Sequence, residues 1–199
     1  MFSHGLCDRG ATLAEALIAT GIVVVAVGIS VPLVTTGRHE QHVMNAARYV
    51  AGRIVLARAG AARRGAAIGI RFVRNGEGVT FRSYVDGNGN GVRAVDIGSG
   101  VDAPIETETS LGDRFEGVRF ELSAAAPAIG NSAPAGAGAD PVQLGGNDIL
   151  SLTPLGTATS GTLYLRSRGG HQAAVRILGA TARVQVFQFD FQAGRWNPR

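Results

Sequence analysis

The sequence predicts an α+β fold, in which a long N-terminal helix with a transmembrane first half packs on an antiparallel β-sheet domain. Three features predict this fold. Residues 16–34 carry no charged side chain, residues 40–64 repeat apolar residues every three or four positions, and the later chain alternates apolar and polar residues in short runs. We therefore expect residues 11–34 to span a membrane, residues 35–65 to form an amphipathic helix, and residues 66–199 to form a β-rich globular domain.

The uncharged run defines the first half of the helix. Its length is close to the roughly 20 residues that a helix needs to cross a bilayer core. Glu15 borders the run, and a carboxylate there is costly unless it has a partner. Since the run supplies none, we expect the partner of Glu15 to come from outside this helix. Arg9, just before the run, favours a cytoplasmic N terminus and a C-terminal domain across the membrane.

The segment after the run has the pattern of an amphipathic helix. Val43, Ala47, Val50 and Ile54 recur at spacings of three and four residues, which places them on one helical face. We expect one helix from residue 12 to about residue 64, with this face packed on the sheet. The arginines of the segment are expected to form a solvated face.

Strand patterns begin after this helix. Ile68, Ile70 and Phe72 alternate with other residues, a Gly-rich turn follows at residues 74–78, and the alternation resumes at residues 79–85. This predicts a β-hairpin. Further strands are predicted at residues 115–122, 148–155, 161–167, 172–178 and 183–191.

Two segments of the β-rich region lack such a pattern. Residues 123–147 consist largely of Ala, Pro and Gly with little apolar bulk. We expect a flexible surface loop that contributes nothing to the core. The last six residues, 194–199, are expected to fray.

The N-terminal residues resemble a known processing signal. Gly10-Ala11-Thr12-Leu13-Ala14-Glu15 stands directly before the apolar run, with Pro32 further along it. This resembles the signal of type IV prepilins and type II secretion pseudopilins. The resemblance implies that a prepilin peptidase removes residues 1–10 by cutting after Gly10 and methylates the new amine of Ala11. It also implies that Glu15 meets the Ala11 ammonium of a neighbouring subunit during assembly.

The signal departs from the family pattern at one position, and its residues have an alternative interpretation. The residue after the cut is usually Phe in the family and is Ala11 here, a departure that concerns methylation and packing at that end. An uncleaved single-span anchor is the alternative interpretation of the same residues.

Further segments narrow the resemblance to the GspH/FimT group. They are A-R-A-G-A-A-R-R-G-A at residues 57–66, Y-V-D-G-N-G-N-G at residues 84–91, and the closing strands G-T-L-Y-L-R-S-R-G-G and G-A-T-A-R-V-Q-V. The resemblance implies a pilin-like fold and a minor pseudopilin that supports protein export across the outer membrane. Its implied partners are other pseudopilins or pilins, prepilin peptidase, an inner-membrane assembly platform and membrane lipid. The implied location is the bacterial inner membrane, crossed once, with the C-terminal domain in a periplasmic pseudopilus.

Nucleic-acid binding is the second functional hypothesis. Minor pilins of the FimT type bind DNA through arginines near the C terminus, in a motif similar to Gly-Arg-x-Arg. This chain has Ala182-Arg183-Val184-Gln185 at that place, so the Gly and the second Arg are missing. Arg176 and Arg183 are the candidate DNA contacts, and a solvated basic surface is the alternative. The net charge of +4 permits such binding without requiring it.

Composition argues against an enzyme. All 19 basic residues are Arg, and a chain without Lys has no Walker A loop, no Schiff-base site and no lysine general base. No Gly-x-Ser-x-Gly motif occurs. Cys7 is the only cysteine, and it lies in the predicted leader, so no disulfide is expected. We predict a non-enzymatic protein without catalytic residues or cofactor.

Metal sites are not expected either. The run Asp86-Gly-Asn88-Gly-Asn90-Gly91 has the opening spacing of a calcium loop, but the twelfth position is Ile97 instead of an acid. We interpret it as a tight turn, with calcium in another geometry as the alternative. His39, His42 and His171 have no accompanying cysteine or carboxylate cluster, so no zinc site is predicted.

Overall fold

The computed structural model describes residues 12–76 and 78–199, apart from the side chains of residues 26–37. The described chain divides into two compact units, one ending at Arg38 and one formed by His39–Arg199. Helix α1 (Leu13–Arg64) begins in the first unit and ends in the second. It stops before Gly65, whose φ of +64° is the left-handed conformation that glycine adopts at low cost after a helix. The predicted extent of this helix is confirmed.

The described part of the second unit adds a short helix and eleven strands. In chain order these elements are β1 (Ile68–Asn75), β2 (Gly78–Val85), α2 (Ala94–Ser99), β3 (Ala103–Pro104), β4 (Thr109–Ser110), β5 (Val118–Phe120), β6 (Val142–Gln143), β7 (Ile149–Leu152), β8 (Gly161–Ser167), β9 (Gln172–Leu178), β10 (Arg183–Asp190) and β11 (Arg195–Pro198).

The strands form two antiparallel sheets. Sheet A has the order β3-β2-β1-β7, with β4 also paired to β2. Sheet B has the order β11-β10-β9-β8-β5, with β6 also paired to β8. The predicted hairpin is confirmed as β1 and β2, which pair from Ile68 opposite Val85 to Asn75 opposite Gly78.

The main core joins the second half of α1 to one face of each sheet. Val43, Ala47, Val50 and Ile54 are at most 2% exposed, as their spacing predicts. They cluster with alternate residues of both sheets. Examples from the sheets are Ile70, Phe72, Phe81, Leu163, Leu165, Val175 and Ile177. We call the opposite face of each sheet its outer face.

The predicted fold class is wrong. The protein is predominantly β, with two antiparallel sheets where one sheet was predicted. A long apolar helix packed along a sheet, as in a pilin-like fold, is not found among the described residues. Only the part of α1 from Val43 to Ala61 joins the main core, and the large apolar side chains of residues 13–25 are exposed. Alternation along each strand predicts a strand but not the sheet it joins, because pairing is set by long-range contacts.

The structure also corrects the predicted membrane crossing. A span requires roughly 20 predominantly apolar residues in one helix. Among the residues that the structure describes, no helix has the length and apolar character to cross a bilayer. The predictions of a transmembrane first half and of a single-pass inner-membrane location are therefore wrong.

Residues 123–139, which we call the strap, form a second core instead of a loop outside it. Ala126 and Ala128 are buried with Tyr164 and Ala174 on the outer face of sheet B. The Ile129 amide donates to the Tyr164 hydroxyl at 2.8 Å. The prediction that this segment stays outside the core is wrong, because small residues bury fully when an aromatic surface lies beneath them.

The C-terminal residues also differ from their prediction. They form β11, which pairs with β10 from Phe187 opposite Pro198 to Asp190 opposite Arg195. The Trp196 indole N–H donates to the Pro127 carbonyl at 2.9 Å. The tail is therefore paired to the sheet and hydrogen-bonded to the strap, where fraying was predicted.

Candidate functional site

Glu15, the predicted assembly residue, lies in the first turn of α1. Its Oε2 accepts a hydrogen bond from the Thr12 amide at 2.8 Å and from the Thr12 hydroxyl at 3.2 Å. The Glu15 amide in turn donates to the Thr12 hydroxyl at 3.3 Å. This reciprocal arrangement is a capping box, which satisfies amides that a helix N terminus leaves unpaired. Glu15 therefore has an intrachain partner that sequence reasoning missed, although Thr-x-x-Glu is the signature of such a cap.

The large apolar residues on both sides of Glu15 expose most of their surface. Leu13, two residues before it, is 79% exposed, and Val24 is 70% exposed. The other large exposed side chains of this stretch are Leu17, Ile18, Ile22, Val23 and Val25. We call residues 13–25 the apolar helix segment. Such a contiguous apolar surface is typical of an interaction site.

The other two N-terminal site residues cannot be compared with the structure. Gly10 and Ala11, the predicted cleavage and methylation positions, lie outside the described residues. The cleavage, the methylation and the leader therefore stay predictions.

The structure brings the two candidate DNA contacts together. Arg176 on β9 lies opposite Gln185 on β10, and Arg183 lies opposite Leu178. Val175 and Ile177 point into the main core, so Arg176 and its cross-strand partners lie on the outer face of sheet B. The two arginines are diagonal neighbours on this face, within reach of one extended anion.

A row of polar residues extends this basic position across four strands. Gln143 lies opposite Thr162, Thr162 opposite Arg176, and Arg176 opposite Gln185. The neighbouring row, Tyr164 opposite Ala174, is covered by the strap. The row thus presents two side-chain amides and the Arg176 guanidinium, which can donate hydrogen bonds to phosphate oxygens, while Thr162 between them is buried.

The candidate calcium loop is held by its own backbone. Asp86 accepts hydrogen bonds from the amides of Asn88, Gly89 and Gly91, at 3.2, 2.8 and 2.8 Å. Burial raises the pKa of Asp86, but these amides outweigh it and hold the pKa below its ordinary value. Asp102, which is almost fully buried, accepts hydrogen bonds from the backbone amides of Gly87 and Arg93. These two carboxylates therefore shape the turn instead of lining a cation site.

Among the described residues, no group of three or more His, Cys, Asp or Glu side chains is placed to hold a metal ion. His39 packs its ring against the β8–β9 turn at Gly169. His171 lines a cleft of about 380 Å³ together with Glu40, Asp190 and Arg199. None of the described residues lining this cleft is a Ser, Thr, Cys or Lys, so the cleft presents no hydroxyl, thiol or lysine nucleophile beside its histidine.

Sequence reasoning also missed a carboxylate on the outer face of sheet B. Arg119 and Arg166 lie directly opposite each other on β5 and β8. Glu121 accepts a hydrogen bond from each of them, one on each carboxylate oxygen. Burial raises the pKa of Glu121, but the two guanidinium groups lower it further, to below its ordinary value. The signal for this set was absent from the sequence, because strand order decides which arginines meet.

The comparisons with known proteins leave the family open. No protein-family model, no curated protein and no solved structure matches this chain.

Proposed function

We propose that this protein is a minor pseudopilin, a structural subunit of a type II secretion pseudopilus that supports protein export across the outer membrane. The observation that carries the proposal is the apolar helix segment, whose large side chains are mostly exposed. The resemblance of Gly10 to Glu15 to a prepilin signal supports the same function. Its partners would be other pseudopilins, a prepilin peptidase and an assembly platform.

Covering the apolar helix segment would supply the free energy of assembly. Burying a Val, Leu or Ile side chain contributes about 1.5–3 kcal/mol. Helices of neighbouring copies that pack side by side would bury several such side chains at once. Gly21 has no atom within 4 Å of an added Cβ, so a second helix has room to approach there. Assembly through this segment is therefore favourable without any catalytic chemistry.

The charged end of the helix supplies registration in this proposal. The Thr12 groups bind only Oε2 of Glu15, which leaves Oε1 without a hydrogen bond among the described residues. The methylated ammonium of Ala11 from an adjacent copy would bind Oε1. An ion pair among apolar helices is strong only when both charges are closely matched, so it selects one axial offset.

Three variants of this end separate the ion pair from the helix cap. A capping box accepts Gln in place of Glu. Glu15→Gln should therefore keep the cap and lose incorporation into the filament, whereas Thr12→Val should lose the hydroxyl of the cap and still incorporate. Glu15→Leu removes both functions and should fail completely. Filament incorporation is measured after mass spectrometry confirms cleavage after Gly10 in each variant, and normal incorporation of Glu15→Gln would contradict the proposal.

A second candidate function is that of a FimT-like minor pilin that binds DNA for uptake or primes pilus assembly. The adjacent positions of Arg176 and Arg183 on an open sheet face favour it. Gel-shift titration should show affinity that falls steeply with salt concentration. The double variant Arg176→Gln/Arg183→Gln should weaken binding and reduce the salt slope by about 2. Arg48→Gln, on the exposed side of α1, is the control, and an equal effect of both changes would reject this function.

A further inference from the structure

The outer face of sheet A carries two arginines in direct opposition. Arg71 on β1 lies opposite Arg82 on β2. Their strand neighbours Phe72 and Phe81 point into the main core, so both guanidinium groups leave the sheet on the outer face. Both residues are half-buried. Like charges directly opposite each other destabilise strand pairing, so this arrangement needs a compensating group.

Neither arginine forms an ion pair in the described part of the chain. Neither arginine has an Asp or Glu within ion-pair distance there, since the ion pairs of the described residues involve Arg53, Arg74, Arg119 and Arg166. Glu108 lies near the same face, and its carboxylate is bound by the Thr80 hydroxyl. The Nε of Arg82 is buried and lacks an acceptor among the described residues. A buried donor without a partner is costly and is normally satisfied.

Sheet B contains a similar pair of opposed arginines, and this pair has a bound carboxylate. Arg119 and Arg166 are also directly opposite each other on neighbouring strands, and Glu121 bridges their guanidinium groups. The two sets therefore share a cross-strand arginine pair on an outer sheet face. Each set also has one buried Nε without an acceptor among the described residues, that of Arg166 and that of Arg82. They differ in one part: a carboxylate bridges the pair on sheet B, and none among the described residues bridges the pair on sheet A.

We propose that Arg71 and Arg82 form a binding site for a phosphate monoester group, which takes the place that the Glu121 carboxylate takes on sheet B. A guanidinium group presents paired N–H donors that match the oxygens of phosphate. Two half-buried cations are neutralised best by a dianion, and a phosphate monoester carries a charge of about −1.5 to −2 at neutral pH. This site is separate from the Arg176 and Arg183 surface on sheet B.

The test is a calorimetric titration of the full-length protein with methyl phosphate, inorganic phosphate and acetate at constant ionic strength. Both phosphates should bind, and acetate should bind about tenfold more weakly because it carries one charge. Arg71→Gln and Arg82→Gln should each weaken phosphate binding about tenfold or more, as expected for the loss of a charge-assisted partner. Arg82→Lys keeps the charge but loses the fork, so its affinity should fall between those of the native protein and Arg82→Gln.

Thermal unfolding separates loss of binding from loss of fold. In phosphate-free buffer, Arg82→Gln should unfold at the same temperature as the native protein or higher, because it removes a like-charge contact. Phosphate should raise the unfolding temperature of the native protein and of the control Arg48→Gln, but not that of Arg82→Gln. Equal phosphate binding by native protein and both Gln variants would overturn the proposal, as would equal affinity for acetate or no phosphate binding.

Discussion

The apolar helix segment and the strap contrast in composition and in burial. The first is rich in Leu, Ile and Val, and its large side chains are exposed. The second is rich in Ala, Pro and Gly, and Ala126 within it is fully buried. Burial in this chain therefore follows the presence of a partner surface more than the hydrophobicity of the segment itself. The strap has an aromatic sheet face beneath it, and the helix segment has no such cover among the described residues of its own unit.

The largest predicted effect tests the burial of the strap. Ala126→Asp places a charge without a partner in the second core and should destabilise the fold by about 3–5 kcal/mol. Ala125, the preceding residue, is exposed, so Ala125→Asp should change stability by less than about 0.5 kcal/mol. Chemical denaturation measures both. Equal values for these adjacent alanines would mean that the strap is a loop outside the core.

The next effect tests how the strap is held. Tyr164→Phe leaves the Ile129 amide without its acceptor, so it should cost about 1–3 kcal/mol. Tyr49 is the matched control, because its buried hydroxyl has no hydrogen-bond partner among the described residues. Tyr49→Phe should be neutral or slightly stabilising. Unfolding free energies that fall equally in both variants would show that this hydrogen bond does not hold the strap.

A smaller effect on stability is expected in the apolar helix segment. Leu17 is 64% exposed, whereas Ile54 on the same helix is 1% exposed. Leu17→Ala should change the unfolding free energy by about 0.5 kcal/mol or less, and Ile54→Ala should lower it by about 2–5 kcal/mol. Among variants that fold, Leu17→Ala should reduce filament incorporation more than Ile54→Ala does. A large loss of stability in Leu17→Ala would mean that the segment is buried by its own chain.

A further small effect concerns the pH dependence that Glu121, two residues before the strap, gives to stability. The pKa of Glu121 is lowered in the folded state, so its contribution is present above its unfolded pKa and is lost as pH falls through the folded value. Native protein should therefore lose stability below about pH 4.5, by about 1 kcal/mol or less from this group. Glu121→Gln should reduce this loss of unfolding free energy at low pH. Glu116→Gln, at an exposed residue, should leave the loss unchanged. If native protein and Glu121→Gln lost the same unfolding free energy at low pH, the stabilising contribution of Glu121 would be excluded.

Sequence patterns predicted the local elements and not their assembly. The alternation of Ile68, Ile70 and Phe72 identified β1, and the spacing of Val43 and Ile54 identified the buried face of α1. These patterns depend only on the geometry of one element. The two-sheet arrangement and the burial of Ala126 depend on contacts distant in sequence, which no local pattern encodes.

The candidate sites also divide into those set by local sequence and those set by distant contacts. The Thr12 and Glu15 cap is a local feature, and its signature was present in the sequence. The meeting of Arg176 with Arg183 required the register of β9 and β10, which the strand patterns alone do not fix. Arg71 and Arg82 flank a predicted hairpin turn, so their opposition could be derived from the turn. Their lack of a carboxylate among the described residues could not, because it depends on every element around them.

Labelling of a single cysteine in the apolar helix segment tests most directly whether other copies cover it. In a Cys7→Ser background, Leu17→Cys is exposed to a water-soluble maleimide in dispersed subunits and in assembled filaments, with Leu155→Cys, at a residue 94% exposed, as the control. We predict that Leu17→Cys reacts when dispersed and is protected when assembled, while Leu155→Cys reacts in both states. Equal reaction of Leu17→Cys in the two states would contradict assembly through this segment.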